Sequence, residues 1–298
     1  MSILTTATTR RLTEPLGRFL WPLAVTNLVV NVVIVMTGGA VRLTDSGLGC
    51  PTWPRCTEES YVAHGALGVH GAIEFGNRML TWVLVAVAGL CLLAALGAGH
   101  RLAVRYSLVV ALGVPAQGVI GGITVLTELN PWVVSLHLLV SMALIGVCVV
   151  LVDALRGPAR TAAAARTTRL GWLVFGVAWV VLYLGTVVTG SGPHSGDADS
   201  RRTGLDPQVM SHVHAVAVYV LVALTVGLLV LARRLGDHRV ARAAGLLLGV
   251  ELAQGVVGFV QYVNDLPEAV VALHMLGAAV LSASVTWVAA ACRPHPGR

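Results

Sequence analysis

Ala116-Gln117-Gly118-Val119-Ile120-Gly121, running on to Val134-Ser135-Leu136-His137-Leu138, decides the fold because the chain carries it twice. The second copy reads Ala253-Gln254-Gly255-Val256-Val257-Gly258 and runs on to Val271-Ala272-Leu273-His274-Met275. In each copy an apolar helix is followed by a short acidic turn, Glu128-Leu129 or Asp265-Leu266, and then by a second apolar helix bearing one histidine. From the alanine to the histidine the copies align without a gap, which points to a duplicated helical unit. A histidine at lipid depth is costly and marks function. Two at equivalent positions suggest a pair of similar metal or cofactor sites.

The surrounding composition sets the environment. Hydrophobic residues make up 56% of the chain and charged ones 11%, with a mean hydropathy of +0.81, so the class is all-α integral membrane protein. Every basic side chain is Arg. The Arg residues sit in short loops between apolar spans, which is no nucleic-acid footprint. Met1–Pro15 is polar and the first apolar stretch is a full span, so no cleavable signal is expected. Eight spans are predicted, near Phe19–Val41, Gly71–Leu96, Val104–Leu126, Pro131–Val152, Leu170–Gly190, Pro207–Leu231, Val240–Val263 and Pro267–Ala291. Arg collects at the two termini and in alternate loops, which predicts cytoplasmic termini. The expected organisation is two repeated four-helix bundles, residues 1–158 and 170–298, joined by a cytoplasmic linker over 159–169.

The repeat extends beyond the opening stretch. Gly39-Ala40-Val41 followed by Thr44, Ser46 and Gly47 parallels Gly185-Thr186-Val187 followed by Thr189, Ser191 and Gly192. Carrying the register back sets His214 opposite Asn77, so helices 2, 4, 6 and 8 offer Asn77, His137, His214 and His274. Pro131, Pro207 and Pro267 suit first helical turns. The three histidines follow them by about two turns, roughly 10 Å, which predicts one shared depth just below the outer surface.

His214 and His274 then face each other across one bundle, a natural bis-axial cage for haem iron; the plainer alternative is hydrogen bonding between helices. His212 falls on another face. In the first half His137 has only Asn77 opposite, a poor iron ligand. Glu74 shares a face with Asn77 and His70. Glu74 suits a general base or charge stabiliser, or else an interfacial partner of Arg78. His70 is expected near water, about two turns above His137, as a ligand, a propionate contact or an exposed residue.

Cys50 and Cys56 bracket Pro51-Thr52-Trp53-Pro54 in the first outer loop and favour a disulfide or a redox-active pair, with metal capture a weaker reading. Cys91 and Cys148 read as packing residues. Arg42, Arg55, Arg78, Arg201 and Arg202 stand on the outer side against the usual bias, suited to propionates or to acids such as Asp197 and Asp199. Gln117 and Gln254 each open a Gly-x-x-Gly of the kind used for close helix packing. Glu251 lies mid-span where the first half has Val114.

The stretch from Gly38-Gly39-Ala40-Val41-Arg42 through Asp45-Ser46-Gly47-Leu48-Gly49-Cys50 to Pro54-Arg55-Cys56 resembles the signature of the haem A synthase family. Ile73-Glu74-Phe75-Gly76-Asn77-Arg78 and the histidines of helices 4, 6 and 8 resemble it too, so the likeness covers essentially the whole chain. The resemblance implies an eight-helix, internally duplicated enzyme that oxidises the C8 methyl of haem O to a formyl group by two hydroxylations and a dehydration. It implies haem b on His214 and His274, and substrate haem O in the half bearing Glu74 and His137. Haem O synthase (protohaem farnesyltransferase), an electron acceptor and a plasma-membrane bilayer are the partners it implies; a homo-oligomer is compatible with it. One position departs from the pattern: the family motif ends in His-Arg, and Asn77 stands where that histidine belongs. His137 alone, or His137 with His70, would then hold the first-half haem. A di-haem b electron-transfer cytochrome and a non-catalytic haem carrier are the competing functions.

Overall fold

The computed structural model describes residues 13–156 and 159–295. The arginines nearest either chain end, Arg10, Arg11 and Arg298, lie outside the described residues. Eight helices among those described are long and apolar enough to cross a membrane. They are α1 (Leu20–Leu43), α2 (Gly68–Gly97), α3 (Arg101–Leu126), α4 (Pro131–Arg156), α5 (Ala165–Ser191), α6 (Pro207–Arg234), α7 (His238–Val263) and α8 (Glu268–Cys292). The protein is an all-α, multi-pass membrane protein. Helix is the form these segments must take, because hydrocarbon offers no partner to an open backbone amide.

The ends follow from local chemistry. Asp206 caps α6, its side chain accepting from the amides of Gln208 and Val209, with Pro207 in the first turn. Four helices begin earlier than their sequence patterns suggest, α3 at Arg101 rather than Val104 and α7 at His238 rather than Val240 among them. A 3-10 turn over Gly65–Leu67 leads into α2 at Gly68 rather than Gly71. Helix α5 starts at Ala165, inside the polar Ala159–Arg169 stretch, since Ala and Arg are good helix formers. The two acidic turns share one geometry. Glu128 and Leu129 have φ of 52° and 57°, and Asp265 and Leu266 have 57° and 59°. The Leu129 amide donates to the Thr124 carbonyl (2.8 Å) and the Leu266 amide to the Gln261 carbonyl (2.9 Å), the same closure one repeat apart.

Consecutive helices α1 to α4 pack side by side, and α1 also packs on α4. Helices α5 to α8 do likewise, with α5 against α8. This ring order makes α2 and α4 diagonal partners, and likewise α6 and α8. The two rings meet where α4 packs on α8, flanked by α1 on α8 and α4 on α5. At that seam Val35, Met142, Ile145 and Ala279 form a buried apolar cluster. The Ser282 hydroxyl donates to the Met142 carbonyl at 2.9 Å. Gly146 lies so close to Thr286 that a Cβ there would be 2.9 Å from Oγ1.

The seam should therefore resist volume more strongly than polarity. Gly146→Leu should cost about 1–3 kcal/mol by overpacking. Ser282→Ala should cost about 0.5–1.5 kcal/mol, one hydrogen bond. Thermal melts of the purified protein in detergent should rank the two in that order. Equal melting points for Gly146→Leu and wild type would show that the helices are not held this closely.

Candidate functional site

Each of the three intramembrane histidines is set against a glycine of the preceding helix. A Cβ at Gly121 on α3 would lie 3.3 Å from Cε1 of His137 on α4. At Gly185 on α5 it would lie 3.3 Å from Cε1 of His214 on α6, and at Gly258 on α7 it would lie 3.5 Å from Cε1 of His274 on α8. A Cβ at Gly121 or Gly185 would crowd the ring by a few tenths of an ångström, whereas at Gly258 it would make an ordinary van der Waals contact. All three Nδ1 atoms are buried with no hydrogen-bond partner of good geometry, although the Val181 carbonyl lies beside the His214 ring. A polar atom in that state costs free energy unless a ligand or a proton partner completes it. His214 and His274 belong to diagonal helices of one ring and lie within electrostatic reach of each other. That is the donor set of a bis-imidazole iron centre.

Helices α3 and α7 fix the rings in different ways. The Gln117 amide donates to the His137 carbonyl (2.8 Å) and to the Ser141 hydroxyl (2.5 Å), holding α3 on α4. Gln254, its counterpart, instead folds into the notch left by Gly277 on α8. Glu251 sits deeper on α7, 3% exposed, accepting from Thr225 of α6 at 2.8 Å. His212 is exposed and pairs loosely with Tyr262, ring centroids 6.2 Å apart.

The first half is built differently on the α2 side. Asn77 is half-buried, and its Oδ1 accepts from the Thr37 hydroxyl of α1 at 2.8 Å. Glu74 is 5% exposed and fully engaged. Its Oε2 accepts from the Cys50 amide (2.6 Å), and its Oε1 from Arg78 Nε (3.0 Å) and Nη2 (2.5 Å). Arg78 goes on to donate to the carbonyls of Cys50, Thr52 and Arg55. One ion pair thus clamps the α1–α2 loop that Cys50 and Cys56 close with a disulfide. Gly49 lies directly on the α2 backbone at His70, and the Trp53 ring lies over Gly122 of α3. His70 is exposed at the start of α2, with Nδ1 3.0 Å from the Ser46 hydroxyl.

Arg42 ties the two halves at the same end, donating to the carbonyls of His194 (2.5 Å) and Thr189 (2.8 Å). The Gly47 amide donates to the Gly196 carbonyl (2.8 Å), and His194 Nε2 lies 2.9 Å from the Leu266 carbonyl. Arg202 bonds Ser200 and the Pro193 carbonyl, and Arg55 bonds the Glu58 carbonyl. The outer arginines thus serve backbone carbonyls more than the acids Asp197 and Asp199. Sequence reasoning missed Thr37, Trp53 and Met275, whose thioether packs against Gly39 from the opposite half. Gly121 and Gly258 close the two Gly-x-x-Gly pairs read for close helix packing, and what they pack against is the histidine rings.

Glu74 should govern how firmly the disulfide loop is held. Glu74→Ala removes charge-assisted bonds worth about 1.5–3 kcal/mol, so the loop should open about ten- to a hundredfold more often. Under mild reductant the Cys50 and Cys56 thiols should then label correspondingly faster than in wild type. An unchanged labelling rate would mean the clamp does not hold the loop.

Known proteins bear on this geometry. The family model described as cytochrome oxidase assembly protein matches residues 21–66 and 68–194, more than half of the chain. The chain is 30% identical over 145 residues to a protein named heme A synthase from Geobacillus thermodenitrificans, covering 46% of this chain and 44% of that one. A heme A synthase of Shewanella oneidensis is also 30% identical over 145 residues, 44% of each chain. One from Lysinibacillus sphaericus is 30% identical over 120 residues, 40% of this chain and 39% of that protein. Each match spans less than half the relative's length. The family model's coverage nevertheless runs from α1 through the disulfide loop, Glu74 and His137 to the C-terminal end of α5, and on that ground the chain belongs to the cytochrome oxidase assembly protein family.

Proposed function

We propose that the protein is a haem A synthase, oxidising the C8 methyl of haem O to a formyl group through two hydroxylations and a dehydration. The observation that supports this most directly is the repeated histidine-on-glycine arrangement. His214 and His274 occupy one ring of helices and His137 the other, each imidazole lying against a glycine of the preceding helix. Relatives named heme A synthase add to it.

In this reading residues 170–298 would hold haem b, with His214 and His274 as the residues that would bind its iron. The donor set fits, being two imidazoles on diagonal helices without a competing side chain on either glycine face. When bound, the haem supplies a one-electron carrier. The half spanning residues 1–158 holds substrate haem O on His137. Asn77 orients the substrate: Thr37 occupies its Oδ1, which turns the amide NH2 into a donor toward the site. Glu74 acts as a charge stabiliser, since both its oxygens already serve Arg78 and Cys50. It also keeps the disulfide loop seated over the outer end of the site. Arg42 and Arg78 give that end the positive charge that propionates seek. His70, at the exposed start of α2, contacts the propionates. The enzyme lies in the plasma membrane with both termini cytoplasmic and its sites near the outer face. It receives haem O from haem O synthase and passes electrons to an acceptor.

Mass analysis of haem extracted from the purified protein tests the activity. Haem A or hydroxylated haem O should accompany haem b. Haem b alone would favour the electron-transfer cytochrome or the haem carrier. His214→Leu and His274→Leu should each abolish the low-spin haem b signal. His137→Ala should lose haem O and its conversion together, and Asn77→His should drive the first-half haem towards low spin.

Topology has its own test. After reduction, a thiol reagent that cannot cross membranes should label Cys50 and Cys56 in intact cells. Labelling confined to lysed cells would reverse the orientation.

A further inference from the structure

The end of the molecule opposite the disulfide carries a second site, independent of the haem reading. There α1, α4 and α8 diverge and leave a cavity of about 420 Å³ across the seam between the two rings, within the ~300–1,000 Å³ range of small-ligand sites. Trp21, Val152 and Trp287 form its apolar wall, Ser284 adds a hydroxyl, and Asp153 and Arg239 stand at its polar end. Asp153 is shared: its Oδ2 accepts from Arg160 Nη2 at 2.6 Å, and its Oδ1 from Arg239 Nη2. Arg160 is held in place by the carbonyls of Ala290 and Arg293. Two guanidinium groups therefore meet one carboxylate, leaving one positive charge in surplus. Each guanidinium also keeps a buried nitrogen with no partner, Nε on Arg239 and Nη1 on Arg160.

We infer that this cavity binds the phosphate headgroup of an anionic phospholipid, with an acyl chain along the Trp21–Trp287 wall. The charge surplus selects an anion. Guanidinium forks match phosphate oxygens, and basic pockets between membrane helices are where acidic headgroups lodge. The apolar wall selects an amphiphile over free phosphate. Because the walls come from both rings, the lipid would brace the seam from the basic end, as Arg42 does from the other.

The test is retention of lipid by the full chain. The protein is reconstituted in vesicles of equal phosphatidylglycerol and phosphatidylcholine, re-extracted in neutral detergent, and its bound lipid is counted by mass. Wild type should keep phosphatidylglycerol in preference to phosphatidylcholine. Arg239→Gln should lower that retention about tenfold, the scale of one charge-assisted hydrogen bond. Ser284→Trp fills the cavity without touching the ion pairs, and should lower it as much while leaving haem content unchanged. Equal retention of phosphatidylcholine, or wild-type retention of phosphatidylglycerol in both variants, would overturn the inference. Displacement of the lipid by excess inorganic phosphate would reduce the site to a simple anion site.

Discussion

Water is scarce inside a bundle of membrane-spanning helices, so each polar side chain there either pairs with a neighbouring helix or stays costly until a ligand arrives. Several intramembrane polar groups of this protein take the first course. Thr225 donates to Glu251, Ser282 to the Met142 carbonyl, and Gln117 to the His137 carbonyl, while Asn31 donates to Asn27 within α1. The three histidines differ from these in that each ring lies against a glycine of the preceding helix. Their Nδ1 atoms have no hydrogen-bond partner, as is also true of single atoms of Asn27, Gln117 and Glu251.

The ends of the molecule solve a different problem, the joining of two rings that share only the seam of α4 and α8 with its flanks. At one end arginine is used as a rigid multi-donor: Arg42 gathers carbonyls of the opposite half, and Arg78 gathers three carbonyls of its own loop. Both serve loops that lack regular structure and would otherwise leave backbone acceptors unmet. At the other end Asp153, Arg160 and Arg239 tie α4, the connecting segment and α7 through ion pairs. Partial burial makes those pairs stronger than exposed ones, at the cost of leaving surplus charge.

The two halves share a ring order of helices and differ at particular side chains. The acidic turns close identically, and each histidine meets its glycine. Yet Asn77 bonds Thr37 where the other half has His214, Val114 stands where the other has Glu251, and Met275 reaches across to fill the space at Gly39.

How much was legible beforehand depended on the range of the interaction. Eight helices, their approximate ends and the shared spacing of His137 and His274 follow from hydropathy, proline placement and self-similarity. All three are local properties of the chain, because a span in hydrocarbon has one backbone solution. The pairing of Glu74 with Arg78 was likewise readable, since residues four apart on a helix are neighbours. What Glu74 accepts from Cys50, what Arg42 grips, and which atoms of Asn77 are already taken were not. Those contacts join residues 24, 152 and 40 positions apart, and no periodicity records them. The early starts of α2 and α5 were missed because hydropathy marks the hydrocarbon boundary, whereas a helix continues as far as its backbone finds partners. Only the packed structure decides which polar groups are spent on the fold and which are left for a ligand, because that depends on what stands opposite each one.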